Sequence, residues 1–311
     1  MQSESLRWKI ANCPYYFESL DDDKRPCHLV INSQMESLSN LKRSLIELEE
    51  LPRPIPWSGN IESSKILFLH CSPYESAKML IPRWDSSSYH PNEITNFDYS
   101  DAFENPDLVK DDVAHGSDLK ENSEISKTNQ TKIIAKFAKE ISALIMGIEN
   151  QEDCGEKEFS IFNLVRCSSP SKRAILKAID FCSQNWLTPT LLASGAELVF
   201  VLGHKPAKII AEAFPNQVPS DWGSFQTQSG NFGKGFWPRS KGDLQERFYA
   251  GQWKFENQKF NSFQLILGER KFLIVFHGTP GAGSIWSFRQ HSNLISDELI
   301  DYWRSFISRS S

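Results

Sequence analysis

The chain has 311 residues, of which 40% are hydrophobic and 12% aromatic, so it can bury a substantial core. No segment approaches the roughly 20 consecutive apolar residues of a membrane span, and the first residues, MQSESLRWKI, lack the apolar centre of a signal peptide. We therefore expect a globular cytoplasmic protein with no membrane partner. Six cysteines in a chain of this length do not form a disulfide framework, which leaves them as thiols or metal ligands.

The net charge of −5 is unevenly distributed along the chain. Residues 159–311 hold 17 Lys and Arg against 11 Asp and Glu, so they are positive, while residues 1–158 are strongly negative. Much of that acid lies in 93–124, which holds 10 acidic residues and 2 lysines. The rest of the chain is then weakly basic, which permits nucleic-acid binding without requiring it.

Strand and helix patterns alternate, which predicts one α/β domain over 1–311, a three-layer α/β/α sandwich with a mainly parallel central sheet. Two segments interrupt the pattern: an acidic insertion at 86–130 and a polar, glycine-rich loop at 214–262. In chain order, the predicted elements are a helix at 38–51, a strand at 65–70, a helix at 131–148, a strand at 159–166, a helix at 171–186, a strand at 198–203, a helix at 205–213, strands at 263–267 and 271–277, and a helix at 293–307.

Polar residues follow the predicted strands, and ligands bind beyond the carboxyl ends of the strands in an open parallel sheet. We expect the four segments after the strands to meet in one crevice. They are His70-Cys71-Ser72-Pro73-Tyr74, Cys167-Ser168-Ser169, Gly203-His204 and His277-Gly278-Thr279-Pro280-Gly281.

Four motifs stand in the same order as in the uracil-DNA glycosylase superfamily. LFLHCSPY, IFNLVRC, VFVLGHKPAKII and IVFHGTPGAGS resemble that superfamily's Pro-containing turn, Asn strand, Gly-ended strand and His loop. The resemblance covers residues 50–85 and 159–291. It implies a DNA glycosylase, a DNA repair or antiviral defence enzyme that flips a pyrimidine out of DNA and hydrolyses its N-glycosidic bond.

The resemblance implies three catalytic residues. The Asn163 amide would pair with the Watson–Crick edge of the base, either uracil or cytosine because an amide can be rotated. His277 would donate a hydrogen bond to the departing base. Ser72 stands where the best-known members carry Asp or Asn for the water, so we expect a substrate other than plain uracil, such as a modified cytosine of phage DNA. The structural alternatives are an Asn that bonds a turn and a satisfied core histidine.

The same resemblance places further residues around the base and the DNA. Cys71, Pro73, Tyr74 and Trp84 would line the base pocket, although plain core packing is the alternative for the aromatic residues. Gly278 and Gly281 would let the backbone approach DNA, and Trp286 would fill the gap left by the flipped base. Phosphate contacts would come from Ser168, Ser169, Ser171, Lys172 and Arg173, where ordinary helix capping is the alternative.

Several glycosylase families of this superfamily hold a four-iron cluster on four cysteines. Cys167 and Cys182 flank the helix after the Asn strand, as in those families, and Cys13 and Cys27 lie near the N-terminus. The resemblance therefore implies a [4Fe-4S] cluster on these cysteines. Cys13 and Cys27 are 14 residues apart rather than in a Cys-x-x-Cys, and buried core thiols are the alternative.

DNA is the expected partner of a monomeric protein. A second interpretation is a catalytically silent relative that binds DNA or modified nucleotides. A general α/β nucleotide-binding enzyme is disfavoured, because no Gly-x-Gly-x-x-Gly turn or P-loop follows any strand.

Overall fold

A computed structural model describes about half of the chain, in segments separated by gaps. They are residues 6–7, 9–10, 12–19, 22–42, 54, 57, 59–71, 124–150, 153–155, 157–167, 169, 171–219, 222, 225–226, 232–233, 262–277 and 297–307. The chain divides into two compact units whose segments interleave. The first unit comprises Met1–Gly59, Cys71–Ala135 and Phe162–Ala193, and the second comprises Asn60–His70, Lys136–Ile161 and Ser194–Ser311. A single domain over 1–311 stays a prediction.

The described part of the chain contains helices and strands in alternation. The helices are α1 (Pro14–Glu18), α2 (His28–Lys42), α3 (Glu124–Met146), α4 (Lys172–Ala193), α5 (His204–Ala213) and α6 (Asp297–Ile307). The strands are β1 (Ile66–His70), β2 (Phe159–Asn163), β3 (Leu198–Leu202), β4 (Phe225–Gln226), β5 (Phe232–Gly233), β6 (Ser262–Leu267) and β7 (Arg270–His277).

Five strands form one sheet in the order β2-β1-β3-β7-β6. Strands β1, β3 and β7 pair in parallel, and β6 pairs antiparallel to β7 through the turn at Gly268. Every residue of β1, β2 and β3 is buried, which agrees with their unbroken apolar sequences. The chain therefore has an α/β fold with a mostly parallel sheet, as the sequence predicts.

The core of the second unit is built around Phe68, in the middle of β1. Its ring stacks on Phe200 of β3 with centroids 5.2 Å apart. It also meets Phe137 of α3 and Phe159 of β2 edge-on, at 6.1 and 5.9 Å. Aromatic pairs in these geometries add to the free energy of burial, so Phe68 ties two strands and a helix to one hydrophobic cluster.

Helix α6 covers the same side of β3. Trp303 meets Phe200 edge-on at 5.1 Å. One turn of the helix is held by Arg304, whose Nε donates a hydrogen bond of 2.9 Å to the Ile145 carbonyl at the end of α3. The last turn of α3 thus has a cation beside its free carbonyls, the arrangement that stabilises a helix C-terminus.

The first unit is helical in its described part. Tyr15 of α1 meets Phe181 of α4 edge-on, with ring centroids 4.8 Å apart. The Tyr16 hydroxyl donates to Gln34 Oε1 of α2 at 2.8 Å, and both residues are buried. Helices α1, α2 and α4 therefore form one packed group through apolar contacts and a satisfied buried polar pair.

The predicted strands and the helices at 131–148, 171–186, 205–213 and 293–307 are confirmed, although the helix predicted at 131–148 starts seven residues earlier and the one predicted at 171–186 ends seven residues later. The helix predicted at 38–51 begins earlier, at His28, and residues 43–51 of that prediction lie outside the described residues. The acidic insertion predicted to end at 130 ends sooner, because α3 starts at Glu124. Part of the 214–262 loop forms the β4–β5 pair. The three-layer arrangement stays a prediction.

Membrane insertion receives no support from the described helices, none of which is long and apolar enough to cross a bilayer.

Replacing Phe68 by Ala tests the aromatic core. Phe68 is 0% exposed, and we expect Phe68→Ala to lower the free energy of unfolding by about 3–5 kcal/mol, because it leaves a cavity under three rings. Urea unfolding followed by tryptophan fluorescence measures the change. Leu176→Ala on the exposed side of α4 is the control, with an expected loss below about 1 kcal/mol. Equal losses in the two variants would contradict this account of the core.

Candidate functional site

Two histidines of the second unit, His70 and His277, lie at the carboxyl ends of parallel strands and at the same position along the strand direction. Leu202 of β3 pairs with His277 of β7, and Leu69 of β1 pairs with Val201 of β3. His70 therefore stands beside Leu202, one residue beyond that pair. Residues aligned across parallel strands project from the same face of the sheet, so the His70 and His277 side chains leave one face. Their backbones are two strand spacings apart, which is about 10 Å.

His277 is half-buried at the last position of β7. Its ring lies 4.6 Å from the ring of Phe137, tilted by 38°. Its carbonyl accepts a 2.7 Å hydrogen bond from the Gly203 N–H, which closes the sheet at this edge. The imidazole is thus supported by an aromatic wall while retaining contact with solvent, as a hydrogen-bond donor toward a ligand requires.

Gly203 makes the turn from β3 into α5. Its φ is 98°, a conformation that residues with a Cβ rarely adopt, so glycine is needed at this point. The carbonyl of Gly203 accepts the Ala207 N–H at 3.2 Å and thereby starts α5. Leu202 lies between the His70 and His277 positions on the sheet, and Gly203 follows it with no side chain.

His70, which the sequence analysis places in the expected crevice without a role of its own, is only 5% exposed. Its position at the end of β1 was visible in the sequence, but its burial was not. A buried imidazole at a strand end is a candidate functional group, because the ring can donate and accept at the same time.

Asn163, the last residue of β2, carries a distinctive buried polar atom. The residue is 6% exposed, and its Oδ1 has no hydrogen-bond partner. A buried amide oxygen without a partner costs about 1–3 kcal/mol, so such atoms persist mainly where a ligand or water completes the bonding. The alternative of an Asn that bonds a turn through this oxygen is therefore not what the structure contains.

Four cysteines of the first unit lie close together, although they are distant in sequence. Cys13, Cys27, Cys167 and Cys182 are all buried. The Cys182 and Cys27 side chains are hydrogen-bonded to each other, and this contact together with burial raises the pKa of Cys182. Burial and the charge of Cys182, followed by that of Cys13, raise the pKa of Cys167. These are the four cysteines that the resemblance selects.

Backbone and side-chain N–H groups point at the sulfurs of this four-cysteine group. Burial raises the pKa of the Cys13 thiol, while the neighbouring backbone N–H groups of Tyr16 and Tyr15 and the Trp186 side chain lower it. The Cys182 sulfur accepts the backbone N–H of Arg166. Donors of this kind stabilise thiolates and are the usual surroundings of thiolate-bound metal centres.

Arg166 lies beside the four-cysteine group and is one of the largest fully buried side chains among the described residues. Its guanidinium carbon sits 3.4 Å from the ring centroid of Phe162, and Nη2 donates to Thr190 Oγ1 at 2.8 Å. Burial lowers the pKa of Arg166, and the sulfurs of Cys182, Cys167 and Cys13 raise it in that order. The sequence analysis missed this residue, although an Arg inside the apolar run IFNLVRC is a visible signal.

Within the described ranges, no group of three or more His, Cys, Asp or Glu side chains is arranged to hold a single metal ion. An iron–sulfur cluster is wider than one ion, so the thiolates around it stand farther apart than the ligands of one ion. The four-cysteine group has the number of thiols that a [4Fe-4S] cluster requires, and the cluster itself stays a prediction.

The serines before α4 act as caps in this structure. The Ser169 side chain is fully buried, shares a 2.7 Å hydrogen bond with Ser33, and accepts the Ser171 N–H at 3.1 Å. The Ser171 hydroxyl accepts the Ala174 N–H at 3.3 Å, an N-cap contact. Arg173 is exposed, which leaves it as a described candidate for a phosphate contact.

The remaining predicted site residues are placed only in part. Cys71 is half-buried, directly after β1. Lys172 opens α4, and its side chain is not described. Outside the described residues lie Ser72, Pro73, Tyr74, Trp84, Ser168, Gly278, Gly281 and Trp286. Asn163 belongs to the first unit and His277 to the second, so their meeting at one base stays a prediction.

Comparison with known proteins assigns no family to the chain: no protein-family model matches it, and no curated protein matches it.

Cys154 of the second unit provides a pH-dependent test of the buried thiols. Its pKa is raised to about 12, first by burial and then by the charge of Glu158, while Lys139 lowers it. An unfolded thiol has a pKa of about 8.5. The thiol's contribution to stability is therefore complete below about pH 8.5 and is lost as the pH rises toward 12.

We expect wild-type protein to lose more free energy of unfolding between pH 7 and pH 10 than Cys154→Ala, since only the wild type has this thiol to ionise on unfolding. Urea unfolding at both pH values measures the difference. The same loss in both proteins would show that folding does not perturb the Cys154 pKa.

Proposed function

We propose that the protein is a DNA glycosylase that extrudes a pyrimidine and hydrolyses its N-glycosidic bond, leaving an abasic site. The observation that carries this proposal is the Asn163 amide, buried at the end of β2 with no hydrogen-bond partner for Oδ1. A base whose edge offers a donor would complete that bond. The motif order LFLHCSPY, IFNLVRC, VFVLGHKPAKII and IVFHGTPGAGS supports the same reaction class.

Asn163 selects a pyrimidine by shape and hydrogen bonding. Its amide presents a donor and an acceptor side by side, so one orientation matches uracil and the reversed orientation matches cytosine. Because the residue is almost fully buried, a bound base would bond it away from competing water. The base most consistent with the chain is a modified or deaminated pyrimidine, with the modified cytosine of phage DNA as our leading candidate.

His277 acts on the departing base. As the bond between the base nitrogen and C1′ breaks, its electron pair stays with the base and C1′ becomes cationic. An imidazole N–H beside a base oxygen is favoured most in that transition state. A water molecule then bonds to C1′, and its proton ends on the base. The Phe137 ring at 4.6 Å limits the orientations of the imidazole.

The water needs little activation in this mechanism, because an oxocarbenium-like sugar reacts with a weak nucleophile. We assign the orientation of this water to Ser72, which replaces the Asp or Asn of the best-known members. The same replacement favours the alternative, a catalytically silent relative that binds DNA or modified nucleotides. That alternative predicts DNA binding that survives His277→Ala, with no abasic product from any protein.

We further propose that the four-cysteine group holds a [4Fe-4S] cluster. Four buried thiols from three chain segments, with N–H donors directed at Cys13 and Cys182, fit the ligand set of such a cluster. When bound, the cluster would supply a structural cross-link between the N-terminal segment, the segment that precedes α4 and the middle of α4. Loss of any ligand would then release Cys13 and Cys27 from the α4 side of the first unit.

The other parts of the proposal concern the setting of the enzyme. We propose a monomeric cytoplasmic protein with a three-layer α/β/α sandwich. DNA would be bound by the positive part of the chain, residues 159–311, with Lys172 and Arg173 near the start of α4 among the phosphate contacts.

Base release tests the first proposal. We expect wild-type protein to create abasic sites in DNA containing uracil, deaminated bases or phage-modified cytosines, detected as strand breaks after alkaline treatment. Asn163→Ala and His277→Ala should each lower the single-turnover rate by at least about 100-fold, because each removes a hydrogen bond to the reacting base. His277→Gln keeps a donor and should retain more activity than His277→Ala.

Asn32→Ala, which removes an exposed amide from α2 of the same unit as Asn163, is the matched control and should react like the wild type. Intact DNA with every substrate would refute glycosylase activity. Unchanged rates in both site variants would refute the assigned roles.

Metal analysis tests the cluster. After anaerobic purification, we expect about four iron and four sulfide per chain and a brown colour. Replacement of any member of the four-cysteine group by Ser should remove most of the iron. Cys154→Ser is the control, because Cys154 is equally buried but belongs to the second unit. A colourless, iron-free wild type would refute the cluster.

A further inference from the structure

Strand β6 lies at one end of the five-stranded sheet of the second unit. Among the described strands it pairs with β7 alone. Phe263 and Leu265 of β6 are buried, whereas Gln264 and Ile266 are exposed. The side of β6 away from β7 is thus a sheet edge, and the backbone N–H and C=O groups of an edge can serve as a template for pairing with another chain.

The sequence of β6, SFQLIL, contains none of the residues that usually protect a sheet edge. It has no charged residue, no proline and no glycine, and Ile266 is 48% exposed. Short segments that combine apolar residues with a lack of charge pair readily with copies of themselves. An edge of this composition therefore needs another form of protection.

The turn at Gly268 fixes which residues of β6 present backbone groups to the outside. Leu267 and Arg270 close a two-residue hairpin, so that pair is hydrogen-bonded within the sheet. Hydrogen-bonded and non-hydrogen-bonded pairs alternate along an antiparallel ladder. The backbone groups of Ile266 and Gln264 therefore point away from β7, and Ile266 is the outward position nearest the turn.

The side chain of Gln217 occupies this outward position. Its Oε1 accepts the Ile266 N–H at 2.8 Å, and its Nε2 donates to the Ile266 carbonyl at 3.0 Å. A primary amide placed in this way reproduces the two hydrogen bonds that one residue of a neighbouring antiparallel strand would make. The turn after α5 holds Gln217 in place, since the N–H groups of Gln217 and Val218 both bond the Phe214 carbonyl, at 3.0 and 3.2 Å.

We propose that the outer edge of β6 is a pairing surface for a second copy of this chain, and that the Gln217 amide guards it. Two β6 strands can pair antiparallel around a two-fold axis at Gln264, which places Ile266 of one copy opposite Ser262 of the other. The strand is self-complementary in this register, because it brings no like charges together. While Gln217 bonds Ile266, a second strand cannot form this register, since the backbone groups of Ile266 are already used.

The experiment measures self-association by sedimentation equilibrium. Gln217→Ala removes the guarding amide. The double variant Gln217→Ala/Gln264→Lys also places two ammonium groups opposite each other at the two-fold axis, which opposes pairing. Asn216→Ala removes an exposed amide from the neighbouring position and is the matched control. Because all three side chains are exposed, the variants should fold, and circular dichroism checks that they do.

We expect Gln217→Ala to form dimers at concentrations at which the wild type, Asn216→Ala and the double variant remain monomeric. Its dissociation constant should be at least about 10-fold lower than that of the wild type, because neither copy must first break two hydrogen bonds.

A Gln217→Ala protein that associates no more than the wild type would overturn the proposal and leave the glycosylase and cluster proposals intact. Association that persists in the double variant would also overturn it, because the two copies would then meet on a surface other than β6. Equal association of Asn216→Ala and Gln217→Ala would show that Gln217 has no guarding role.

Discussion

The constraint on which this structure depends is that polar residues are buried immediately after strands whose two faces are both covered. Strand β2 is buried along its whole length, and the polar residues that end and follow its apolar run are shielded from solvent as well. Asn163 and Arg166 are both almost completely buried there. In a dry environment each polar group must find a partner or lower stability, so this segment is where function is to be sought.

The two residues solve this constraint differently. Arg166 is surrounded by an aromatic face, a hydroxyl and sulfurs, all supplied by the first unit. Asn163 keeps an amide oxygen without a partner. A buried amide oxygen whose hydrogen bonding is incomplete is suited to a ligand. The cluster proposal and the glycosylase proposal therefore rest on different neighbours of one short segment, and either can fail alone.

Much of the fold could be predicted from the sequence, because continuous Val, Ile, Leu and Phe runs mark strands covered on both faces. The helix from His28 was placed too late, since its early turns mix polar and apolar residues without a strong stripe. The four cysteines were selected by resemblance, and their proximity depends on how α1 and α2 pack on α4. Periodicity does not contain that information.

Less of the candidate site's chemistry could be predicted from the sequence. The position of Asn163 at a strand end was predictable, but its unpartnered oxygen depends on every neighbour in three dimensions. The burial of His70 and Arg166 is likewise a property of packing. In contrast, His277 was found from its place after an apolar strand, and the structure gives it a half-buried position against Phe137.

The most direct test is a crystal structure of the protein bound to DNA that carries a non-hydrolysable pyrimidine nucleotide. The account predicts an extruded base whose Watson–Crick edge is hydrogen-bonded to the Asn163 amide, with the His277 imidazole facing the same base. It would be contradicted by a base bound elsewhere, or by an Asn163 Oδ1 that accepts its hydrogen bond from a protein group in the complex.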